Sequence, residues 1–167
     1  MVMVKSVKID GADIHVFNSA IYIYESSTGV TLELDLIVSE IVKAKYGEEE
    51  NLFLEIELED GRIIDNIMHV KRFSGGLPQL NLYCPLDDIA DFHNLPKFNE
   101  NEHFALNLEE GITIGDIRKV EMPNQKINLK LNLPIDQCEW LNEQSKKDLN
   151  KIFQEIIYKY WDSKNEV

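Results

Sequence analysis

The sequence predicts an α+β protein that is mostly β, with an antiparallel, barrel-like sheet followed by a long C-terminal helix. Apolar and polar residues alternate in several short runs, most clearly over 54–59 (LEIELE). A side-chain period of two places the apolar set on one face of a strand. Residues 149–160 instead repeat their apolar positions at a spacing of 3.6, which is typical of an amphipathic helix. The runs predict about nine to ten strands; the alternative is a two-sheet sandwich plus the helix.

Three tight turns connect the first predicted strands. A two-residue loop at Asp10-Gly11 predicts that Ile9 faces Ala12 across a hairpin. The Ser26–Gly29 turn likewise sets the apolar residues of 20–24 against those of 30–36. A three-residue loop ending in a left-handed Gly61 would place Leu58 opposite Arg62 and Ile56 opposite Ile64.

Turn glycines recur at a fixed distance along the chain. Gly11, Gly61 and Gly111 are each 50 residues apart, and each follows an acidic residue and an alternating run. We therefore predict a single domain over 1–167 with internal repeats at 1–50, 51–100 and 101–150. The third copy predicts a strand at 104–108, a return strand through Ile112 and Ile114, and a further strand over 127–133. The alternative is that hairpins of similar length resemble one another without a duplication.

Capping residues predict the helices. Ser39 begins a short helix through about Lys45, and Asp87, placed after a strand that Pro85 ends, begins another through Phe92. Residues 136–142 form one or two helical turns. The terminal helix covers about 145–161, and its apolar stripe predicts that it packs on the sheet.

The charge balance limits the classes of partner. The chain has 30 acidic and 17 basic residues, for a net charge of -13. Nucleic acid and anionic membranes recruit clustered lysine and arginine, so neither is expected as a partner. No stretch approaches 18 apolar residues, the start of the chain lacks the apolar core of a signal peptide, and two cysteines make no disulfide framework. We therefore expect a cytoplasmic protein, and the composition suggests a bacterial or phage source.

The acidic excess has a local maximum that predicts a protein-binding surface. Seven acids and no base lie between Tyr46 and Gly61. The predicted partner-binding residues are Glu48, Glu49, Glu50, Glu55, Glu57 and Glu59. They would steer and dock a basic protein, as a non-catalytic module of the inhibitor, immunity or adaptor type does. The alternative is a solvated sheet face.

One basic and glycine-rich cluster predicts a second kind of site. Its residues are Lys71, Arg72, Ser74, Gly75 and Gly76, whose backbone N–H groups could hold the phosphate of a small ligand such as a nucleotide. From this cluster onward the order of elements resembles a PilZ domain, a small barrel with a C-terminal helix that binds a cyclic dinucleotide. Position 72 is arginine where that family has aspartate or asparagine, and the family's Arg-x-x-x-Arg motif is absent. The resemblance therefore implies topology only and assigns no binding residue.

Catalytic and metal-binding patterns are not found in the sequence. His15, His69, His93 and His103 show no ligand spacing. Cys84 and Cys138 have no sequence partner that would activate a thiol, and both are expected in or near the core. We predict no catalytic residue, no metal and no cofactor.

Aromatic residues concentrate near the end of the chain. Ile157 and Trp161 lie off the apolar stripe of the terminal helix, so they predict either a partner surface or a second buried face. A homo-oligomer is left open by the sequence.

Overall fold

The computed structural model describes residues 3–72, 75–101 and 107–165. The chain forms two compact units, residues 1–124 and residues 125–167. Among the described residues, the first unit contains eight strands and two α-helices, and the second contains two α-helices. The strands are β1 Val4–Ile9, β2 Ala12–Ile14, β3 Asn18–Ser26, β4 Gly29–Ile37, β5 Asn51–Leu58, β6 Ile63–Lys71, β7 Gln79–Leu86 and β8 Lys97–Asn99. The helices are α1 Glu40–Tyr46, α2 Ile114–Val120, α3 Ile135–Asn142 and α4 Lys146–Asn165.

All eight strands join one sheet, in the order β2-β1-β5-β6-β7-β4-β3-β8. Every pairing is antiparallel except β3 with β8, so the sheet is mixed. The predicted α+β class, mostly β with a long C-terminal helix, is confirmed. Among the described residues the strand count is eight, and the sheet is open because β2 and β8 remain as edges.

The predicted hairpin registers are confirmed. Ile9 faces Ala12, and Ile23 faces Leu32. The Leu58 amide donates to the Arg62 carbonyl at 2.9 Å. Gly61 has a φ of 85°, a left-handed conformation that glycine adopts at no steric cost.

The core lies on one face of the sheet, where the inward side chains of every long strand meet. Within each strand these residues occupy alternate positions, and they are the positions that the sequence pattern assigned to the apolar face. The most deeply buried of them are Ile9, Ile23, Leu32, Leu34, Leu36, Leu52, Leu54, Ile56, Leu58, Met68, Leu80 and Leu82. Burial of each contributes roughly 1.5–3 kcal/mol.

A smaller core forms on the opposite face, which we call the outer face of the sheet. Ile117 of α2 packs there with Ala20 and Ile37 of β3 and β4. Arg118 holds α2 against α1 through two hydrogen bonds of 2.7 Å to the Glu40 carboxylate. The segment before α2 therefore lies over one end of the outer face.

The predicted return strand through Ile112 and Ile114 is wrong, because α2 begins at Ile114. Thr113 caps that helix: its hydroxyl accepts from the Asp116 amide, and the Asp116 carboxylate accepts from the Thr113 amide. A reciprocal cap of this kind favours a helix over an extended return. The strand predicted at 104–108 falls mostly outside the described residues.

The three turn glycines of the predicted repeats, Gly11, Gly61 and Gly111, share left-handed φ values of 81°, 85° and 78°. The duplication of a 50-residue unit stays a prediction.

Residues 127–133 form no strand in the structure, although their alternation predicts one. A strand needs hydrogen bonds to a neighbouring edge, and alternation alone does not supply that neighbour.

The helix predicted over 87–92 is reduced to a single 3₁₀ turn at Ala90–Phe92. Pro85 does not end its strand but lies within β7. This is tolerated because β7 pairs with β6 only over residues 81–83, so no bond to β6 is lost at Pro85.

Helices α1 and α4 begin where capping residues predict. The Ser39 hydroxyl accepts from the Val42 amide at the start of α1. The Ser145 hydroxyl accepts from the Asp148 amide at 3.1 Å at the start of α4. α4 runs four residues beyond the predicted end at 161. Its packing on the sheet stays a prediction.

Candidate functional site

Two of the six predicted partner-binding carboxylates lie side by side on the outer face. Glu55 and Glu57 point outward from β5, and the lysines of β1 face them. Lys8 Nζ lies 2.5 Å from Glu55, and Lys5 Nζ lies 2.6 Å from Glu57. The hydrogen bond from Lys5, with a second from Ser6, holds the pKa of Glu57 below its usual value. These two carboxylates are therefore largely neutralised within the sheet.

The other four carboxylates lie at the two ends of β5. Glu48, Glu49 and Glu50 are exposed in the loop before the strand, and Glu59 is exposed after it. Arg72 approaches Glu48 at 3.5 Å, with both side chains largely exposed. The predicted residues thus follow the strand from end to end instead of forming one patch.

Sequence reasoning missed the apolar part of this surface. Phe53, Ile63 and Ile67 project from the outer face of β5 and β6 and are 48%, 62% and 60% exposed. Phe53 pairs directly with Ile67, and Ile63 pairs with Glu57. The sequence contained one signal for this surface. The core residues of this hairpin have even numbers, whereas these three have odd numbers, which places them on the opposite face of the sheet. We define the outer β5–β6 face by Phe53, Glu55, Glu57, Ile63, Asp65 and Ile67.

A polar pocket of about 590 Å³ lies elsewhere on the same outer face. Lys71, Arg72, Gly75 and Gly76 line it, which brings together four of the five residues predicted to bind a small ligand. The fifth, Ser74, lies outside the described residues. Sequence reasoning missed the rest of the lining, which includes Tyr22, Glu33, Asp35, Gln79, Asn81 and Glu109.

Glu33 is the most buried carboxylate of the pocket. It projects from β4, and its side chain is 4% exposed. The Thr31 hydroxyl donates to it at 2.8 Å, and Lys71 Nζ lies 2.6 Å away. The same lysine lies 5.1 Å from the centre of the Tyr83 ring. A buried charge is tolerated only when it is paired in this way.

Asp35, two residues along β4, is held by neutral donors. Tyr22 donates its hydroxyl at 3.0 Å, and the Asn81 amide donates at 2.6 Å. Burial, followed by the charge of Asp35 and its hydrogen bond, raises the pKa of the Tyr22 phenol well above its usual value. Tyr22 therefore stays protonated as a donor at any physiological pH.

Glu109 closes the pocket from the segment before α2. Its carboxylate accepts from the Leu77 amide and from the Gln79 side chain, each at 2.9 Å. A Cβ added at Gly75 or Gly76 would come within 2.9 Å of a Glu109 oxygen. A side chain at either glycine would therefore displace the end of the Glu109 side chain from its present position.

Histidines and cysteines do not converge on either surface in the described part of the chain. His69 lies 5.1 Å from the Tyr83 ring, and His93 contacts the Ala90 carbonyl. Cys84 is buried, and burial raises the pKa of its thiol. Within residues 3–72, 75–101 and 107–165, no group of His, Cys, Asp and Glu has the arrangement of a metal site. His103 falls outside these ranges.

Comparisons with known proteins give this surface no precedent. The chain matches no family model, no curated protein and no solved structure. Its described helices are each too short or too polar to cross a membrane.

Proposed function

We propose that this chain is a non-catalytic interaction module that docks a basic protein partner on the outer β5–β6 face. The observation that carries the proposal is the directly paired Phe53 and Ile67, which are 48% and 60% exposed on the face opposite the core. Exposed apolar side chains that are grouped and ringed by polar residues are typical of protein interfaces. Glu55, Glu57 and Asp65 supply the polar surround.

The charge distribution supports a basic partner. Residues 1–124 contain 23 acids and 10 bases, whereas residues 125–167 contain seven of each. The whole excess of negative charge thus belongs to the unit that contains the outer β5–β6 face. Glu48, Glu49 and Glu50 are exposed at one end of this face, and they would raise the rate of encounter with a cationic surface. Because Lys5 and Lys8 neutralise the central carboxylates, affinity would come mainly from the apolar side chains.

A capture experiment with matched variants tests this proposal. The full chain is immobilised beside Phe53→Ser/Ile67→Ser, and proteins retained from the native host are identified by mass spectrometry. Ile41→Ser, which changes an exposed apolar residue of α1, is the control. We expect one basic protein on the wild type and the control, with at least a tenfold weaker affinity for the double variant.

Salt dependence separates steering from apolar docking. Raising ionic strength should slow association of the captured partner with the wild type, and replacing Glu48, Glu49 and Glu50 by glutamine should remove most of that dependence. Equal capture by the double variant, or association that salt does not change, would refute docking at this face.

A second candidate function is favoured by the polar pocket. Its volume lies in the range of small-molecule sites, and it gathers Lys71, Arg72, Gly75 and Gly76 from two segments. The lysine and arginine could contact a phosphate, while Glu33, Asp35 and Glu109 favour a ligand that also has hydroxyl or amine donors. A nucleotide has both kinds of group.

A thermal-shift screen of nucleotides tests the pocket. A ligand at 100 times its Kd stabilises the folded state by about 2.7 kcal/mol, which is a measurable rise in Tm. Arg72→Ala should reduce the shift, since this side chain is 77% exposed and contacts only Glu48 among its described ion pairs. Absence of any shift across the nucleotides would remove a nucleotide as the ligand.

A further inference from the structure

Residues 127–133 have a symmetric sequence. They read Ile-Asn-Leu-Lys-Leu-Asn-Leu, which is the same in both directions apart from the aliphatic residues at its ends. The alternation is that of a strand, yet the segment is not a strand in the structure. Ile127, Leu129 and Leu131 are 74%, 69% and 52% exposed. Among the described residues, a segment with the pattern of a half-buried strand thus has no strand partner, and three of its apolar side chains are exposed.

The same unit, residues 125–167, contains half of the other exposed apolar side chains of the described chain. Seventeen large hydrophobic residues are exposed in the described chain, and ten of them lie between 127 and 161. Besides the three in the segment they are Ile135, Trp140, Ile156, Ile157, Tyr158, Tyr160 and Trp161. A concentration of this size indicates a surface that is covered in an assembly.

We propose that residues 127–133 pair with the same residues of a second copy, as an antiparallel β-ribbon centred on Lys130. In this register Leu129 faces Leu131 of the other copy, and Asn128 faces Asn132. One two-fold axis relates both contacts, so the interface is self-complementary and closed. The inference is independent of the proposed docking function.

The charge distribution favours a second copy as the occupant. Residues 1–124 have a net charge of -13, so two copies repel each other through that unit. Residues 125–167 have equal numbers of acids and bases, which makes this unit the one that two copies can bring together. The pairing of Lys130 with Lys130 opposes association, but both ammonium groups lie on the polar face, where solvent screens them.

An isolated two-stranded ribbon is marginal in water, so its apolar face needs a cover. Ile156, Ile157 and Trp161 of α4 are exposed and belong to the same unit. We therefore expect α4 of one or both copies to cover the face formed by Ile127, Leu129, Leu131 and Leu133. This requirement explains why the end of α4 is apolar on more than one side.

A disulfide experiment tests both the partner and the register. In the full chain with Cys138→Ser, Lys130→Cys is compared with Asn128→Cys under mild oxidation. Opposite residues in the ribbon have Cβ atoms roughly 4.5–5.5 Å apart, close enough for a disulfide after small adjustment. The two copies of residue 128 would be offset by four residues, or roughly 13 Å. We expect Lys130→Cys to give a covalent dimer and Asn128→Cys to stay uncoupled.

Solution mass provides the independent readout. Light scattering and sedimentation of the wild type should give twice the chain mass of 19.4 kDa. Leu129→Asp/Leu131→Asp should return the monomer mass, while Ile41→Asp, which places one aspartate on an exposed residue of α1 outside the outer β5–β6 face, should not. A wild type that is monomeric at every concentration would overturn the proposal. So would equal cross-linking of both cysteine variants, or a monomer in which 127–133 is protected from hydrogen exchange by its own chain.

Discussion

Lys71 of β6 reaches across β7 to Glu33 of β4, and its Nζ lies 2.6 Å from the carboxylate. The pair joins two strands that are not neighbours in the sheet, and it supplies the only cation within salt-bridge distance of Glu33 among the described residues. Its two ends differ in exposure, since the lysine side chain is 46% exposed and the glutamate is 4% exposed.

Lys71→Met should therefore destabilise the protein. The variant leaves the Glu33 carboxylate buried with only the Thr31 hydroxyl as donor, and we expect a loss of about 1–3 kcal/mol in the free energy of unfolding. Denaturant unfolding measures it. Glu33→Gln/Lys71→Met should recover most of the loss, because the uncompensated charge is gone. A double variant no more stable than Lys71→Met would show that the charge is not the cause.

Gly61→Ala and Gly115→Ala should change stability in opposite directions. Gly61 has a φ of 85° and open space around its added Cβ, so alanine there costs about 1–2 kcal/mol through backbone conformation alone. Gly115 lies in α2, where an added Cβ would make only ordinary contact with Thr113. Alanine at this position should stabilise by about 0.4–1 kcal/mol. Paired denaturant curves test both, and a loss at Gly115 would contradict the helical assignment of that residue.

Neighbouring residues of β5 should respond very differently to truncation. Leu54 is fully buried and Phe53 is half exposed. Leu54→Ala should lower the free energy of unfolding by about 2–5 kcal/mol, whereas Phe53→Ala should change it by less than about 1 kcal/mol. Equal losses at the two positions would mean that the outer β5–β6 face is covered, and they would count against its role in docking.

Acid should weaken the contact between α1 and α2. Hydrogen bonds from Arg118 hold the pKa of Glu40 below its usual value in the folded state. The unfolded chain therefore binds more protons in acid, so the stabilisation is present above about pH 4.3 and is lost as pH falls through the lower folded pKa. Glu40→Gln should lower Tm at pH 7 and flatten its fall between pH 5 and 3. Glu49→Gln, in the exposed loop, is the control and should leave the Tm profile unchanged.

The polar pocket shows how far sequence reasoning could reach. Lys71, Arg72, Gly75 and Gly76 form a compact cluster in the sequence, and the structure brings them to one cavity. Glu33, Asp35 and Asn81 reach the same cavity only because β4 and β7 lie next to β6 in the sheet order. That order depends on pairings between distant segments, which no local pattern specifies.

The apolar part of the outer β5–β6 face was missed for a different reason. Alternation assigned Ile56 and Ile64 to the core, and the isoleucines at 63 and 67 then had to face outward. Their exposure was implied by the register, but a sequence does not reveal whether another element covers an outward face. On the same sheet α2 covers Ala20 and Ile37, while Ile63 and Ile67 stay exposed.

The local pattern determined the α+β class, the inward faces of the strands, the hairpin registers and the start of α4. These depend on interactions within a few residues: a period of two, a left-handed glycine, a capping hydroxyl. Only the tertiary structure decided the strand order and the open sheet. Within the described part of the chain, 127–133 is not a strand, because a strand exists only when another edge accepts its hydrogen bonds.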